Sequence, residues 1–189
     1  MAPFVIMSMK ISGAEQLKAF GSALHFLRSV GKELRIETDP GSLILRALND
    51  ARSVYASVEF MSGFFDVGSF RLNSEAQSQA NSNSYSGTAN EENTQSRSFA
   101  CCLPVKYLCG LTKNFRNTLS LALRAETSRE DGCELVVEML SANNIKRTHR
   151  FKYSDTEVIS AVYDDEGASS LRCMYKVRRL ILMITIIYF

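Results

Sequence analysis

Two groups of acidic residues near the end of the chain are the side chains best suited to catalysis. Asp155 and Glu157 have Asp-x-Glu spacing, and Asp164, Asp165 and Glu166 form a charge run. Cleavage of a phosphodiester bond by two metal ions needs several carboxylates that converge on ions about 3.5–4 Å apart. The pair follows the end of an alternating segment, the run is typical of a solvated turn, and no acid on a predicted strand completes the set. We therefore expect no catalytic residue and no metal site.

The other nucleophilic and ligating side chains form no recognisable site. His25 stands among cations on a predicted helix, His149 lies between Arg147 and Arg150, and neither a GxGxxG nor a GxxxxGK loop occurs. The cysteines are odd in number and lack CxxC spacing, which argues against a disulfide framework and against zinc. They are Cys101, Cys102, Cys109, Cys133 and Cys173. We expect reduced thiols, no cofactor, and a protein of the cytosol or nucleus.

Net charge alone does not indicate a nucleic-acid-binding protein. The 189 residues include 22 Lys and Arg against 20 Asp and Glu, which gives a net charge of +2. A basic surface would require the cations to gather on one face. With 46% apolar residues, the chain is long enough for one domain of ordinary size with a sizeable core.

Two predicted helices gather cations in this way. The first is predicted from the capping-box pair Ser12 and Glu15 to Gly31, which is placed to end it. The second is predicted from Pro104, which suits a first helical turn, to about Phe115. In each helix the apolar residues recur at helical spacing and the polar face contains no carboxylate. The cationic and imidazole side chains of these faces are Lys18, His25, Arg28 and Lys32 on the first helix and Lys106, Lys113 and Arg116 on the second.

Most of the remaining chain alternates apolar and polar residues, which predicts β-strands. A hairpin from Leu43 to Phe65 turns at Asn49–Arg52, where Asn and Asp side chains satisfy the turn backbone. Each half of the chain then contains a strand, a helix and further strands. The other predicted strands are Met7–Ile11, Leu34–Thr38, Phe99–Leu103, Leu119–Ala125, Cys133–Ser141, Lys146–Ser154 and Val158–Tyr163.

Two segments depart from this pattern. Residues 73–98 contain seven Ser, five Asn and three Gln but no Leu, Ile, Val or Met, and we expect a disordered insert. Residues 173–189 end in ten apolar or β-branched residues without a charge. A bilayer span needs about 20 residues, so we expect no membrane insertion. This strand-prone tail should either add a strand to a sheet edge or drive self-association, and its removal should improve solubility.

The hairpin sequence resembles that of one known family. It contains L-x-x-L-N at the end of the first strand, then A-R-S-V-Y, and it closes on F-F at Phe64 and Phe65. This order resembles the Rad-nine subunit of the nine-one-one checkpoint clamp, a relative of proliferating cell nuclear antigen. The resemblance runs from about Met9 to about Arg172 and is interrupted once, by the insert.

The resemblance implies a fold and a domain organisation. The fold would be α+β, a DNA-clamp (processivity-fold) domain with β-α-β-β-β repeated twice and the helices on one face of antiparallel sheet. Residues 1–172 would be the N-terminal clamp domain, with the insert at 73–98, and residues 173–189 an atypical apolar tail. The second clamp domain of the family would be absent, which leaves a truncated or alternatively spliced interaction module, unable to close a ring, as the alternative.

The resemblance also implies a function. The chain would be a non-enzymatic subunit of a heterotrimeric sliding clamp in DNA-damage checkpoint signalling and DNA repair, located in the nucleus. A 3'-5' exonuclease, an activity credited to the Rad-nine branch, is the weak alternative that the resemblance implies. Its partners would be Rad-one-type and Hus-one-type subunits, a clamp loader, and double-stranded DNA bound without sequence specificity. The helix-face residues named above would face the DNA. Ser78 and Thr94 each precede Gln, as damage-responsive kinases prefer, and would be phosphorylation sites.

Overall fold

The computed structural model describes residues 3–39, 41–73, 99–128, 132–155, 169–177 and 180–188. Within these ranges the chain forms two α-helices and twelve β-strands. In chain order they are β1 Phe4–Ile11, α1 Ala14–Val30, β2 Glu33–Asp39, β3 Ser42–Leu48, β4 Val54–Met61, β5 Arg71–Leu72, β6 Phe99–Pro104, α2 Val105–Thr112, β7 Thr118–Ser128, β8 Gly132–Ser141, β9 Lys146–Lys152, β10 Ser154–Asp155, β11 Ser169–Val177 and β12 Leu180–Tyr188. Short 3-10 turns, Ser62–Phe64 and Phe115–Asn117, lie after β4 and α2.

The strands form two antiparallel sheets. The five-stranded sheet has the order β5-β1-β7-β8-β9, and the seven-stranded sheet has the order β10-β6-β2-β3-β4-β12-β11. One strand, one helix and three strands occur twice in succession, as β1-α1-β2-β3-β4 and as β6-α2-β7-β8-β9. The predicted α+β class with this repeat is confirmed. Because β1 pairs with β7 and β6 pairs with β2, the first strand of each half completes the sheet of the other half.

One hydrophobic core joins both helices to the inner faces of both sheets. From α1 it receives Leu17, Phe20, Leu24 and Leu27, each no more than 2% exposed. These positions recur every three or four residues, so they form one stripe along the helix. Burial of this stripe fixes which face of α1 remains in solvent, and therefore which side chains a ligand can reach.

A row of phenylalanine rings anchors the end of the predicted hairpin. Phe60 on β4 lies 5.5 Å from Phe20 and 4.6 Å from Phe64, measured between ring centroids. Phe64 and Phe65 are 5.4 Å apart, and Phe65 lies at the same distance from Phe70. Such tilted and edge-on pairs are favourable arrangements of aromatic rings. The F-F pair therefore packs the segment after β4 against Phe60, which in turn contacts α1 through Phe20.

The helix ends differ from the prediction at two points. α1 begins at Ala14 with Gly13 as N-cap and has no side-chain cap. The Ser12 hydroxyl instead donates to Oδ2 of Asp66 at 2.5 Å, and the Ser12 amide donates to Oδ1 at 3.1 Å. The capping-box prediction is therefore wrong, because a carboxylate distant in sequence competes for the hydroxyl. α2 is shorter than predicted and ends at Thr112.

The last two strands extend the seven-stranded sheet. β11 and β12 form a hairpin, and β12 pairs with β4 along seven consecutive residues. Ile184 packs against the core, and Ile187 is fully buried. Of the two outcomes predicted for the apolar tail, the addition of a strand to a sheet edge is confirmed. β11 runs through the proposed division at residue 172, and that division stays a prediction.

Some predictions fall on residues outside the described ranges. They concern the strand Val158–Tyr163, the disorder of the insert beyond Asn73, and phosphorylation at Ser78 and Thr94. Asn73 itself is anchored, because its amide donates to the carbonyl oxygen of Ile6 at 2.8 Å.

Candidate nucleic-acid interface

The two helices lie side by side and contact each other directly. Nε2 of His25 lies 2.9 Å from Oγ1 of Thr112, and the Cys109 thiol donates to the carbonyl oxygen of Leu24 at 3.4 Å. Gly21 is buried at this contact, and a Cβ atom there would lie 3.3 Å from the Phe115 ring. The missing side chain thus allows the 3-10 turn after α2 to approach α1. The two predicted cationic faces therefore belong to adjacent helices.

Five of the seven predicted DNA-facing residues are exposed and carry unneutralised cations. They are Lys18, Arg28, Lys106, Lys113 and Arg116. None of them takes part in an ion pair within the described part of the chain. Unpaired cations on neighbouring helices are suited to attract an anionic partner. That this partner is DNA stays a prediction.

The other two predicted residues have protein partners. Lys32 lies beyond the end of α1, and its ammonium group pairs with the Asp50 carboxylate in the turn between β3 and β4. This hydrogen bond and the charge of Asp50 raise the pKa of Lys32. The placement of Lys32 on the first helix is therefore wrong. His25 is exposed on α1, as predicted, but it also bonds to Thr112 of the neighbouring helix.

Arg28 lies close to α2. Burial raises the pKa of the Cys109 thiol, and the nearby Arg28 guanidinium, which also bonds the sulfur, opposes that shift. The thiols of Cys101 and Cys109 are buried, whereas those of Cys102 and Cys133 are half-buried. Burial and the nearby Glu33 carboxylate raise the pKa of Cys102. Thiols held protonated in this way are poor nucleophiles.

Aromatic rings connect α2 to β9. The Lys106 ammonium lies 5.6 Å from the centre of the Tyr107 ring, and Tyr107 stacks on Phe151 at 5.3 Å with an angle of 8° between the rings. The His149 ring continues this row 6.3 Å from Phe151. The stacking fixes α2 against the edge strand of the five-stranded sheet.

A polar pocket lies where the end of α2 meets the turn between β8 and β9, and we call it the turn pocket. Its volume is about 370 Å³, and none of the described residues that line it carries a carboxylate. Three of its lining side chains are cations, namely Lys113, Arg116 and Arg147. The other lining residues are Asn114, Asn117, Ser141, Ala142 and Asn143.

Three other cations of the five-stranded sheet are neutralised by acids of that sheet. Arg124 donates to Glu138 at 2.7 Å, Lys146 pairs with the same carboxylate at 3.0 Å, and Arg150 bonds to Glu126 at 3.2 Å. Burial raises the pKa of Glu138, but hydrogen bonds from Lys146 and Arg124 outweigh this effect and lower it overall. The acids are thus concentrated on β7 and β8, which leaves the cations of the helix layer without them. Because the net charge is only +2, the chain can present a basic surface only if its acids lie elsewhere, as they do here.

The comparison with protein families decides the family of the chain. A family model described as Rad9 matches residues 20–186. The chain belongs to the Rad9 family. Its fold is similar to that in a crystal structure of PCNA from Thermococcus kodakaraensis, with a TM-score of 0.57 and 13% sequence identity. The match covers 87% of this chain and 53% of the PCNA chain, so the chain spans about half the length of that protein. The resemblance found in the hairpin sequence and the clamp fold are both confirmed.

The structure adds residues to the candidate interface of this Rad9-family chain that the sequence did not indicate. Arg147 was considered only as a neighbour of His149, and Asn143 only as part of a turn. The available signal was the order of residues, because Asn143 and Asn144 mark a turn and Arg147 follows it closely. The approach of this turn to the end of α2 depends on tertiary packing, which no local pattern shows.

The structure gives the Rad9-family chain no assembled catalytic group in its described ranges. There, no three His, Cys, Asp or Glu side chains are placed to hold a metal ion. Asp155 pairs through its backbone in β10, and the other acids considered for catalysis lie outside the described ranges. In the same ranges, no helix has the length and apolar character needed to cross a membrane.

Proposed function

We propose that this Rad9-family chain is a non-enzymatic subunit of a heterotrimeric DNA sliding clamp that acts in DNA-damage checkpoint signalling and repair. Membership of the Rad9 family and the PCNA-like fold support this proposal. The partners would be Rad-one-type and Hus-one-type subunits and a clamp loader, and the place of action would be the nucleus.

The observation that carries the DNA-binding part of the proposal is the unneutralised cations of α1 and α2. Lys18, Lys106 and Lys113 are exposed, and no described carboxylate pairs with them. Contacts of this kind bind phosphates and carry no sequence information. Their strength falls with salt, because each neutralised phosphate releases counterions. Weak and sequence-independent contact is what a clamp needs in order to slide.

The β9 edge supports the proposed assembly with other subunits. β9 is the last strand of the five-stranded sheet, so its outer backbone groups have no strand partner in the described part of the chain. An open edge of seven residues is a template for a strand of another chain. The other outer strand of this sheet, β5, is only two residues long. Of the two edges of this sheet, we therefore assign the contact with a neighbouring subunit to β9.

A salt titration tests the DNA contact. Affinity for duplex DNA is measured at several salt concentrations for the wild type and for the combined variant Lys18→Ala, Lys106→Ala and Lys113→Ala. Each lost phosphate contact should lower the slope of log affinity against log salt by roughly 0.9. The matched control removes three exposed cations of the five-stranded sheet, Lys10→Ala, Arg71→Ala and Lys152→Ala.

The control carries the same change in net charge, so it separates position from total charge. The proposal expects the helix variant to lose slope and the control to keep most of it. Equal slopes for the wild type and the helix variant, with both proteins folded, would exclude these helices as the DNA-binding surface.

A further inference from the structure

The turn pocket is built from two rigid segments. The 3-10 turn after α2 is closed by a bond from the Asn117 amide to the carbonyl oxygen of Asn114, at 3.2 Å. The turn between β8 and β9 is closed by a bond from the Asn144 amide to the carbonyl oxygen of Ser141, at 3.0 Å. The two segments are joined directly, because the Ala142 amide donates to the carbonyl oxygen of Asn117 at 2.9 Å. The walls of the pocket are thus held by backbone hydrogen bonds, which leave the polar side chains available.

The charges of the pocket all have one sign. Lys113 and Arg116 come from the end of α2 and Arg147 from β9, and the other lining groups are carboxamides and a hydroxyl. Within the described ranges, none of the three cations has an ion pair or a side-chain hydrogen bond. By contrast, the neighbouring cations Lys146 and Arg150 on β9 are both paired with acids. The charge of the pocket therefore favours an anion.

The types of the side chains in the pocket restrict the anion. The volume of about 370 Å³ lies near the lower end of the range for ligand pockets and is ample for one phosphate group. Arginine presents a planar fork of donors that matches phosphate oxygens, and lysine adds a point charge. Two guanidinium groups and one ammonium group around a polar pocket therefore offer the donors and charges that a phosphate group requires.

We propose that the turn pocket binds one phosphate group of the DNA backbone and that Arg147 is its third cationic ligand. This proposal rests on the proposed function. We assign the phosphate group to DNA because Lys113 and Arg116 belong both to the pocket and to the exposed cations beside α1. One duplex strand that follows these cations would place a phosphate at the pocket. The DNA-contacting surface then extends past the two helices to the turn between β8 and β9.

Arg147→Ala tests the proposal without altering the helices. Affinity for two duplexes of unrelated sequence is measured between 50 and 200 mM salt. Loss of one phosphate contact should lower the salt slope by roughly 0.9, which makes the affinity loss over this range about three- to fourfold smaller than in the wild type. The change should be equal for both duplexes. Arg147→Lys should retain most of the slope, and Lys152→Ala, on the same strand but outside the pocket, should leave it unchanged.

A second measurement observes the pocket directly. Inorganic phosphate titrated into the full chain should shift the backbone NMR signals of residues 141–144 in the wild type but not in Arg147→Ala. Salt-dependent DNA binding with an unchanged Arg147→Ala slope would overturn this inference and leave the proposed function standing. Phosphate-induced shifts without any DNA binding would overturn the DNA assignment and point to a phosphorylated protein ligand. Absence of salt-dependent DNA binding together with absence of shifts would overturn both proposals.

Discussion

Nε2 of His25 on α1 lies 2.9 Å from Oγ1 of Thr112 on α2. The Thr112 hydroxyl donates its own hydrogen to the carbonyl oxygen of Cys109, at 2.8 Å. A hydroxyl has one hydrogen to donate, so Thr112 accepts from His25, and the imidazole must carry a hydrogen on Nε2. A side chain that the sequence places among DNA-facing cations therefore also fixes the spacing of the two helices that present them.

Replacement of His25 should loosen the contact between the helices. His25→Ala removes one hydrogen bond, and we expect the free energy of unfolding to fall by roughly 0.5–1.5 kcal/mol. Urea denaturation measures the change. Ser22→Ala, at another exposed position of the same helix, is the control and should have little effect. Equal stabilities of the two variants would show that the bond contributes nothing.

Two glycines should respond to alanine in opposite directions. Gly31 ends α1 with extended backbone, and a Cβ atom there would lie 2.4 Å from the carbonyl oxygen of Leu48. Because the backbone must move to remove this clash, Gly31→Ala should cost roughly 1–3 kcal/mol of stability. Gly110 is exposed within α2 with open space around it, so Gly110→Ala should stabilise by roughly 0.5–1 kcal/mol. Thermal unfolding of both variants checks the direction of each change in stability. A Gly31→Ala protein as stable as the wild type would show that the end of α1 and the end of β3 at Leu48 are not tightly packed.

The strand β12 should contribute to the stability of the domain. Ile187 is fully buried, so Ile187→Ala should cost roughly 2–5 kcal/mol. Ile145 is 47% exposed, and Ile145→Ala should change stability by less than about 0.5 kcal/mol.

Removal of residues 173–189 should lower the solubility of the protein. The sequence alone predicts better solubility, but the pairing of β12 with β4 reverses this expectation, since removal leaves β4 as an open edge. Light scattering of the shortened chain checks this, and a soluble and equally stable product would contradict it.

Stability should depend on pH through Glu138. Burial raises its pKa, hydrogen bonds from Lys146 and Arg124 outweigh that effect, and the folded value lies below the ordinary 4.5. A depressed folded pKa contributes stability that is present above the unfolded pKa and is lost as the pH falls through the folded one. Glu138→Gln should therefore be less stable than the wild type at neutral pH, and the difference should shrink in acid. Unfolding curves at several pH values test this, with Glu59→Gln as the control, and a difference independent of pH would contradict it.

Local patterns predicted most of the elements in this chain. Alternation and helical spacing located the strands and the helix faces, because each element buries one side in a single core. The tail was predicted either to add a strand to a sheet edge or to drive self-association, because it has ten consecutive residues without a charge or a Pro. The exchange of first strands between the halves was not predictable, since it depends on pairing between β1 and β7, which are distant in sequence.

The errors in the site arose from partners brought together by folding. Ser12 bonds to Asp66, and Lys32 pairs with Asp50, so each local pattern was overruled by a carboxylate from another segment. Arg147 was missed because it lies on a strand, whereas the search for cations was limited to helix faces. Charge segregation itself was foreseeable, since both helix faces lack acids in the sequence.

Assembly with the other clamp subunits tests the central claim most directly. The full chain is co-expressed with Rad-one-type and Hus-one-type subunits and purified through a tag on this chain. The mass of the purified material is then measured by light scattering during gel filtration. The proposed function predicts a stoichiometric complex with at least one of the two subunits. Replacing the β9 residue Thr148, whose backbone amide points away from β8, by Pro removes a hydrogen-bond donor from the open strand edge and should weaken this complex. Elution of this chain alone, folded and in the presence of both subunits, would contradict the assignment as a clamp subunit.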